Sequence, residues 1–307
     1  MRTPITLIIG DGDDPHVQHV EVQLAKRNRQ TRVFDTQLFP RYSQIGYSPN
    51  LGDGHLVIAH EVIYFDQICS VYWRSLMPLS TKNSIATQDA ISMLQTFFAE
   101  PSLNWINPYA SIQNHKMKPR QLQLAKAMGA TIPKSFTGNC PNAAFHFLLR
   151  HSEAIFKPVH GGAFTEFVQP DHRSQEYLES VLQSSPVTLQ EYIPGTNIRT
   201  YVIGNDIFSI EFNSAEVDFR DDNYTIAGAV SIPDPVKNLA RRITYSFGMQ
   251  WSAIDWRCDH EGRYYFLEAN PSPMFIEAEK GTGIPLTETF IDLLLEPYNE
   301  CRMPATR

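Results

Sequence analysis

The stretch Tyr264-Tyr265-Phe266-Leu267-Glu268-Ala269-Asn270-Pro271 is an apolar run that ends in an acid and an amide two positions apart. Side chains alternate between the two faces of a strand, so Glu268 and Asn270 point the same way. Thirteen positions before Glu268, Asp255 sits in a second apolar run, Ile254-Asp255-Trp256, which precedes a turn at Asp259-His260-Glu261-Gly262. Asp255, Glu268 and Asn270 supply an all-oxygen ligand set of the kind hard Mg2+ prefers, with positions left for phosphate oxygens. Polar residues where a strand runs out serve equally well as turn-formers, so the pair gains weight only beside the rest of a nucleotide site.

Working outward, Lys157 ends the run Ala154-Ile155-Phe156 and is followed by Pro158-Val159-His160-Gly161-Gly162-Ala163. A strand-end lysine with glycines that allow close backbone approach can hold polyphosphate. A hairpin with a surface lysine would read the same way, and no GxxxxGK[ST] loop occurs anywhere. Gln190-Glu191-Tyr192-Ile193 alternates polar and apolar residues at a strand end. Such an edge can give an adenine one backbone donor, one backbone acceptor and apolar faces. Arg199 and the Arg220 of Asp218-Phe219-Arg220 lie on neighbouring segments; arginines so placed suit phosphate or carboxylate recognition, or an ordinary ion pair. His160 is either a base or a structural residue beside its glycines.

The N-terminal part predicts a buried parallel strand over 5–9, a Gly/Asp loop carrying Asp11, Asp13 and Asp14, a helix over 15–27 and a strand over 31–35. That order is a βαβ unit. The span 42–56 is polar and reads as a connection, with further strands expected over 57–64 and 70–73. Trp73-Arg74 at a strand end is placed to meet a ligand or to form an ion pair. After a helix over 89–100, Asn107-Pro108 breaks the pattern and marks a boundary. A helix over 121–128 ends at Gly129. Strands over 154–157, 165–168, 187–193, 198–203 and 207–212 follow, with helices over 235–247 and 286–295. The fold class is α/β, becoming α+β towards the C-terminus.

With 307 residues, 42% hydrophobic and 19% charged, the composition is that of a globular protein of two or three units. A net charge of -7 argues against a general nucleic-acid binder. His115-Lys116-Met117-Lys118-Pro119-Arg120 is the one basic cluster of note, and it is equally a solvated helix start. Cys69, Cys140, Cys258 and Cys301 are scattered without metal-ligand spacing, as in a reducing compartment. No signal peptide or apolar span of membrane length is present. A cytoplasmic chain with no membrane partner is expected, and a homodimer is the simplest assembly.

In order, Lys118, Lys157, Gln190-Glu191-Tyr192-Ile193, Arg199, Asp218-Phe219-Arg220, Asp255 and Glu268-x-Asn270 resemble the ATP-grasp superfamily over about 107–295. Gln190-Glu191-Tyr192-Ile193-Pro194-Gly195-Thr196-Asn197-Ile198-Arg199 and Leu267-Glu268-Ala269-Asn270-Pro271 look like the subgroup of the bacterial ribosomal-protein glutamate ligase. They look closer still to the microviridin-type (graspetide) peptide macrocyclases. Val71-Tyr72-Trp73-Arg74, Phe275-Ile276-Glu277 and Thr282-Gly283-Ile284-Pro285 add to that likeness. The chain departs from the pattern at Pro271-Ser272-Pro273-Met274 and in the loop after Lys157, which carries His160 and lacks serines.

The resemblance implies an ATP-grasp fold with an N-terminal βαβ domain over 1–108, a central lid domain over 109–190 and a C-terminal antiparallel-sheet domain over 191–307. It implies ATP and Mg2+, in two ions, as cofactors. Lys118 and Lys157 would bind phosphates, and Gln190, Glu191, Tyr192 and Ile193 would line the adenine pocket. Asn197 would reach the ribose or phosphate side. Asp255, Glu268 and Asn270 would hold the metal; Arg220, with Lys157 and Arg199, would stabilise the transferring phosphoryl group. The activity implied is a carboxylate ligase working through an acyl phosphate, forming esters or amides in a precursor peptide that binds through its leader. Addition of a free amino acid or amine to a carboxylate, and a non-catalytic nucleotide-binding module, are the alternatives.

Overall fold

The protein is described by a computed structural model covering residues 4–81, 83–160, 165–213 and 225–296. Strand β1 (Ile5–Ile9) is buried at every position, as a central parallel strand should be. It leads through Asp14 into α1 (Pro15–Lys26) and returns in β2 (Gln30–Phe34). Asp14 caps α1, its carboxylate accepting from the backbone N–H groups of His16 and Val17, and Pro15 fits the first turn because its missing N–H has no partner there. Strands β3 (Gln44–Ser48), β4 (Asp53–Ile58) and β5 (Glu61–Tyr64) form a small antiparallel sheet.

This corrects the expected connection over 42–56 and the expected single strand over 57–64. Ala59 and His60 both adopt positive φ (48° and 66°), which makes a two-residue hairpin turn inside what reads as one strand. Strand β6 (Ile68–Trp73) then lies on the other side of β1, followed by α2 (Ser84–Phe98) and β7 (Trp105–Ile106), giving the order β2-β1-β6-β7, all parallel. The C-terminal ends of β1 and β6 diverge to opposite neighbours, the position at which such sheets open a crevice.

Helices α3 (Tyr109–Lys116) and α4 (Lys118–Ala127) precede the second sheet. That sheet consists of β8 (Ser135–Gly138), β9 (Ala154–Pro158), β10 (Glu166–Phe167) and β11 (Val187–Glu191) in the order β10-β9-β11-β8, antiparallel throughout. Helices α5 (Pro141–Arg150) and α6 (Gln175–Leu182) pack on it around Ala144, Phe147, Leu148, Leu178, Leu182 and Leu189, a core of its own.

The third sheet has the order β14-β13-β12-β15-β16, formed by β12 (Gly195–Ile203), β13 (Asp206–Asn213), β14 (Thr225–Ala229), β15 (Trp251–Asp259) and β16 (Tyr264–Asn270). One face buries Ile198, Val202, Ile254, Trp256, Phe266 and Ala269 against α4 and α7 (Asp234–Ser246). The opposite face joins Tyr201, Trp251 and Ala253 to Ile8, Val17, Val20 and Leu24 of the N-terminal unit. It also meets α8 (Ile276–Thr282) and α9 (Leu286–Leu295) through Phe275 and Phe290. The N- and C-terminal units thus share one core. Asn107 bonds across that junction: Nδ2 donates to the carbonyls of Trp251 (2.6 Å) and Pro271 (2.7 Å), while Oδ1 accepts from Gln250 N (2.8 Å) and Trp251 N (3.2 Å). Among the described residues no helix is long and apolar enough to cross a membrane.

Candidate functional site

Three adjacent strands bring the acids together. Register pairs Arg199 of β12 with Asp255 of β15, and Asp255 with Glu268 of β16, so the three lie in one row across the sheet. Ala253 pairs with Asn270, setting Asn270 one step along the same face. The register slips between Asp255 and Trp256, because Trp256 opposes Phe266 and Leu267 is the extra residue of a bulge. Phe266 and Ala269 can therefore both enter the core behind the sheet while Glu268 and Asn270 face the other way.

Each acid is matched by a cation. Arg199 grips Asp255 with both arms, Nε to Oδ1 at 2.7 Å and Nη2 to Oδ2 at 2.9 Å. Burial works against the Arg199 charge, but the Asp255 carboxylate more than offsets it and keeps the guanidinium protonated. Lys118, the first residue of α4, forms a short ion pair with Glu268. Burial alone would push the Glu268 carboxyl up; the Lys118 ammonium beside it, helped by His115 and Lys157, holds it well below the usual carboxylate range. His115 of α3 donates from Nδ1 to the Ala269 carbonyl (3.0 Å), and burial lowers its own proton affinity. Gln121 brackets the same residue, accepting from Ala269 N and donating to Ala269 O, both at 3.1 Å, on the edge of β16 where Phe266 N also donates to the Thr131 carbonyl (2.8 Å).

The second sheet supplies the other lysine. Lys157 Nζ donates to Gln190 Oε1 (3.2 Å), and Gln190 Nε2 donates to Ser135 Oγ (2.9 Å), a line across β9, β11 and β8. Gln190 is almost fully buried. The Glu191 carboxylate turns away to accept from Lys134 N (2.7 Å). The N–H groups of Glu191 and Tyr192 go to the carbonyls of Lys134 (2.9 Å) and Glu153 (3.1 Å), and the Ile193 carbonyl accepts from Arg257 Nε (2.8 Å). Among the described residues no backbone carbonyl takes the Ile193 N–H. The Tyr192 ring meets Phe167 edge-on at 4.9 Å and the Arg257 guanidinium at 5.7 Å. Gly195 enters β12 at φ 152°, where an added Cβ would collide with the Cys258 carbonyl.

The residues present fit a Mg2+–nucleotide ligand. Asp255, Glu268 and Asn270 share a sheet face, and each has an oxygen to offer a cation. Two acids and an amide leave a hard cation with coordination positions that phosphate oxygens can fill. Asn197, on the same strand and face as Arg199, is buried, and its Nδ2 has no hydrogen-bond partner among the described residues. A buried donor without a partner costs stability unless a ligand completes it.

Of the residues expected from sequence, Lys118, Arg199, Asp255, Glu268 and Asn270 meet at the face of the third sheet. Lys157 and Gln190 stand on the second sheet, with Lys157 close enough to bias Glu268. Arg199 holds Asp255 here, and Lys118 holds Glu268. Arg220 lies outside the described residues, as do Gly161 and Gly162. His115, Gln121 and Arg257 were not expected. Arg257 was within reach of the alternation rule, two positions from Asp255 on the same strand; the others act on backbone atoms far away in sequence and leave no local signal.

Residues 157–294 match the family described as a RimK-like ATP-grasp domain. Among solved structures the chain is similar to the ATP-grasp ligase PsnB complexed with a minimal precursor, at 27% identity and a TM-score of 0.81, covering 96% of this chain and 98% of that one. PsnB has also been solved with its minimal precursor, Mg and ADP (25% identity, TM-score 0.81, 99% of each chain). The macrocyclase MdnC from Microcystis aeruginosa MRC, bound with precursor peptide MdnA, is similar at 22% identity and a TM-score of 0.81, over 95% and 99% of the two chains. At 22% identity that likeness speaks for the fold. No curated protein matches the chain by sequence.

Proposed function

With residues 157–294 forming a RimK-like ATP-grasp domain, in a chain that has the ATP-grasp fold throughout, we propose that this protein is an ATP-dependent, ADP-forming carboxylate ligase acting on a precursor peptide. The observation that carries the reading is the row Arg199–Asp255–Glu268 with Asn270 beside it and Lys118 and Lys157 converging on it. Asp255, Glu268 and Asn270 would hold Mg2+, and Lys118 and Lys157 would bind the nucleotide phosphates. The N–H of Ile193 and the Tyr192 ring would bound the adenine, and the unpartnered Nδ2 of Asn197 would donate on the ribose or phosphate side. Arg220 is assigned to the transferring phosphoryl group from the sequence pattern.

ATP, when bound with Mg2+, would supply the phosphoryl group that activates a substrate carboxylate as an acyl phosphate. The chain's own part is positioning and charge compensation, which suffices for phosphoryl transfer without a protein nucleophile. A hydroxyl or amine of the same peptide would then displace phosphate to close an ester or amide crosslink. The solved relative PsnB holds a minimal precursor, and this supports a peptide as the substrate. The test is incubation with a candidate precursor peptide, ATP and Mg2+. Release of ADP with loss of one water per crosslink supports the reading; a mass gain points to addition of a separate amine, and no release of ADP overturns it.

A further inference from the structure

Asn270 is followed by a loop that the N-terminal unit grips. Arg74, just past the end of β6, donates from Nη1 to the Ser272 carbonyl (3.2 Å), and its own carbonyl accepts from Ser272 Oγ (2.7 Å). Ser272 N donates in turn to Asn270 Oδ1 (2.9 Å). At its other end Arg74 Nε donates to Asp14 Oδ2 (3.0 Å), and Asp14 Oδ1 accepts from His16 N (2.7 Å) and Val17 N (3.3 Å) at the start of α1. Both ionic side chains are largely buried, 11% and 19% exposed. Burial pushes the Asp14 carboxyl up, and Arg74 with the helix N–H groups overcomes it, so the pair stays charged.

The loop backbone is fixed elsewhere without Arg74. Asn107 holds the Pro271 carbonyl, Tyr201 Oη donates to the Met274 carbonyl (2.9 Å), and Phe275 N donates to His16 Nε2 (3.1 Å). What Arg74 adds is the setting of Ser272, and Ser272 N–H occupies one acceptor site on the Asn270 oxygen. A carboxamide oxygen has two such sites. The second is left for a cation, and the rotation that would present the NH2 group instead would break the Ser272 bond.

We propose that Arg74 is a positioning residue: through Ser272 it holds Asn270 with its oxygen, not its nitrogen, towards the cation shared with Asp255 and Glu268. This rests on the Mg2+–nucleotide reading above. It places a metal-orienting contact on the N-terminal unit, outside the three strands that carry the donors.

The experiment is Mn2+ binding to the protein–ADP complex, read from the free-ion paramagnetic resonance signal. Removing a residue that orients a ligand costs roughly 10–100-fold in metal affinity. Arg74→Ala should show that loss with metal-free ADP binding unchanged, and Ser272→Ala a smaller loss of the same sign. Arg32→Ala, which breaks an ion pair to Glu61 in the same unit, should bind Mn2+ as wild type does. A carboxylate at 270 presents oxygen in either orientation, so in an Asn270→Asp background Arg74→Ala should cost nothing further. Wild-type Mn2+ affinity in Arg74→Ala, or an equal loss in the Asn270→Asp background, overturns the proposal. Should Arg74→Ala fail to fold, Ser272→Ala carries the same comparison. Absence of Mn2+ binding by the wild-type ADP complex would overturn the parent reading, and this inference with it.

Discussion

Asp255 and Glu268 face each other at one rung of the β15–β16 ladder, yet each carboxylate is neutralised from a different direction. Arg199 reaches Asp255 along the sheet, and Lys118 reaches Glu268 from the start of a helix. Like charges directly opposite one another on a sheet repel. The two cations make the pairing tolerable, and they make each acid depend on its own partner.

Arg199→Ala leaves Asp255 without its fork at a site where Arg199 and Asp255 are only 16% and 13% exposed. The expected loss is about 3 kcal/mol of stability. Arg199→Lys keeps the charge but not the paired geometry and should lose less. Chemical denaturation measures both; an Arg199→Ala protein as stable as wild type would show that the pair is not stabilising.

Lys118→Met removes a charged donor from the proposed phosphate side and from Glu268. Nucleotide affinity should fall by about tenfold or more, the worth of one charge-assisted hydrogen bond. Calorimetric titration with ADP and Mg2+ measures it, and an unchanged affinity removes Lys118 from the binding set.

His16 predicts the pH response of the fold. Burial, with Arg74 nearby, lowers its imidazole from 6.5 to about 4, and its Nε2 accepts the Phe275 N–H, which only the neutral ring can do. A lowered folded-state value means the unfolded chain binds the extra proton first. The stabilisation is therefore complete above pH 6.5, declines as pH falls towards about 4 and is gone below it. Up to about 3 kcal/mol is at stake. Denaturation of wild type and His16→Gln across that range should show the wild type losing stability more steeply; parallel curves would remove His16 as the cause.

Gly195→Ala combines a strained φ of 152° with a collision against the Cys258 carbonyl. A destabilisation of at least about 2 kcal/mol is expected, visible as a lowered Tm. An unshifted Tm would mean that β12 can enter the sheet by another path.

Much of this site was legible because its donors follow simple periodicity. Alternation alone set Glu268 and Asn270 on one face. What joins Asp255 to Glu268 is strand register, which depends on a bulge at Leu267 that nothing in the apolar run Tyr264-Tyr265-Phe266-Leu267 announces. The small sheet β3-β4-β5 was missed because its tightest turn, Ala59-His60, takes positive φ without glycine or asparagine. Helices α3, α6 and α8 escaped because, at 7 or 8 residues, they are too short for periodicity to stand out. The Arg74–Ser272–Asn270 chain spans 198 positions between its first two members, so only the folded chain reveals it.

The bulge at Leu267 also separates two kinds of selection acting on one strand. Before it, the pattern answers to packing behind the sheet; after it, the same strand answers to chemistry in front, with the phase advanced by one residue. Without Leu267 the strand would alternate unbroken, with Phe266 and Ala269 still towards the core and Glu268 and Asn270 still in front, so the bulge is the one point where the strand carries a residue that neither pattern requires.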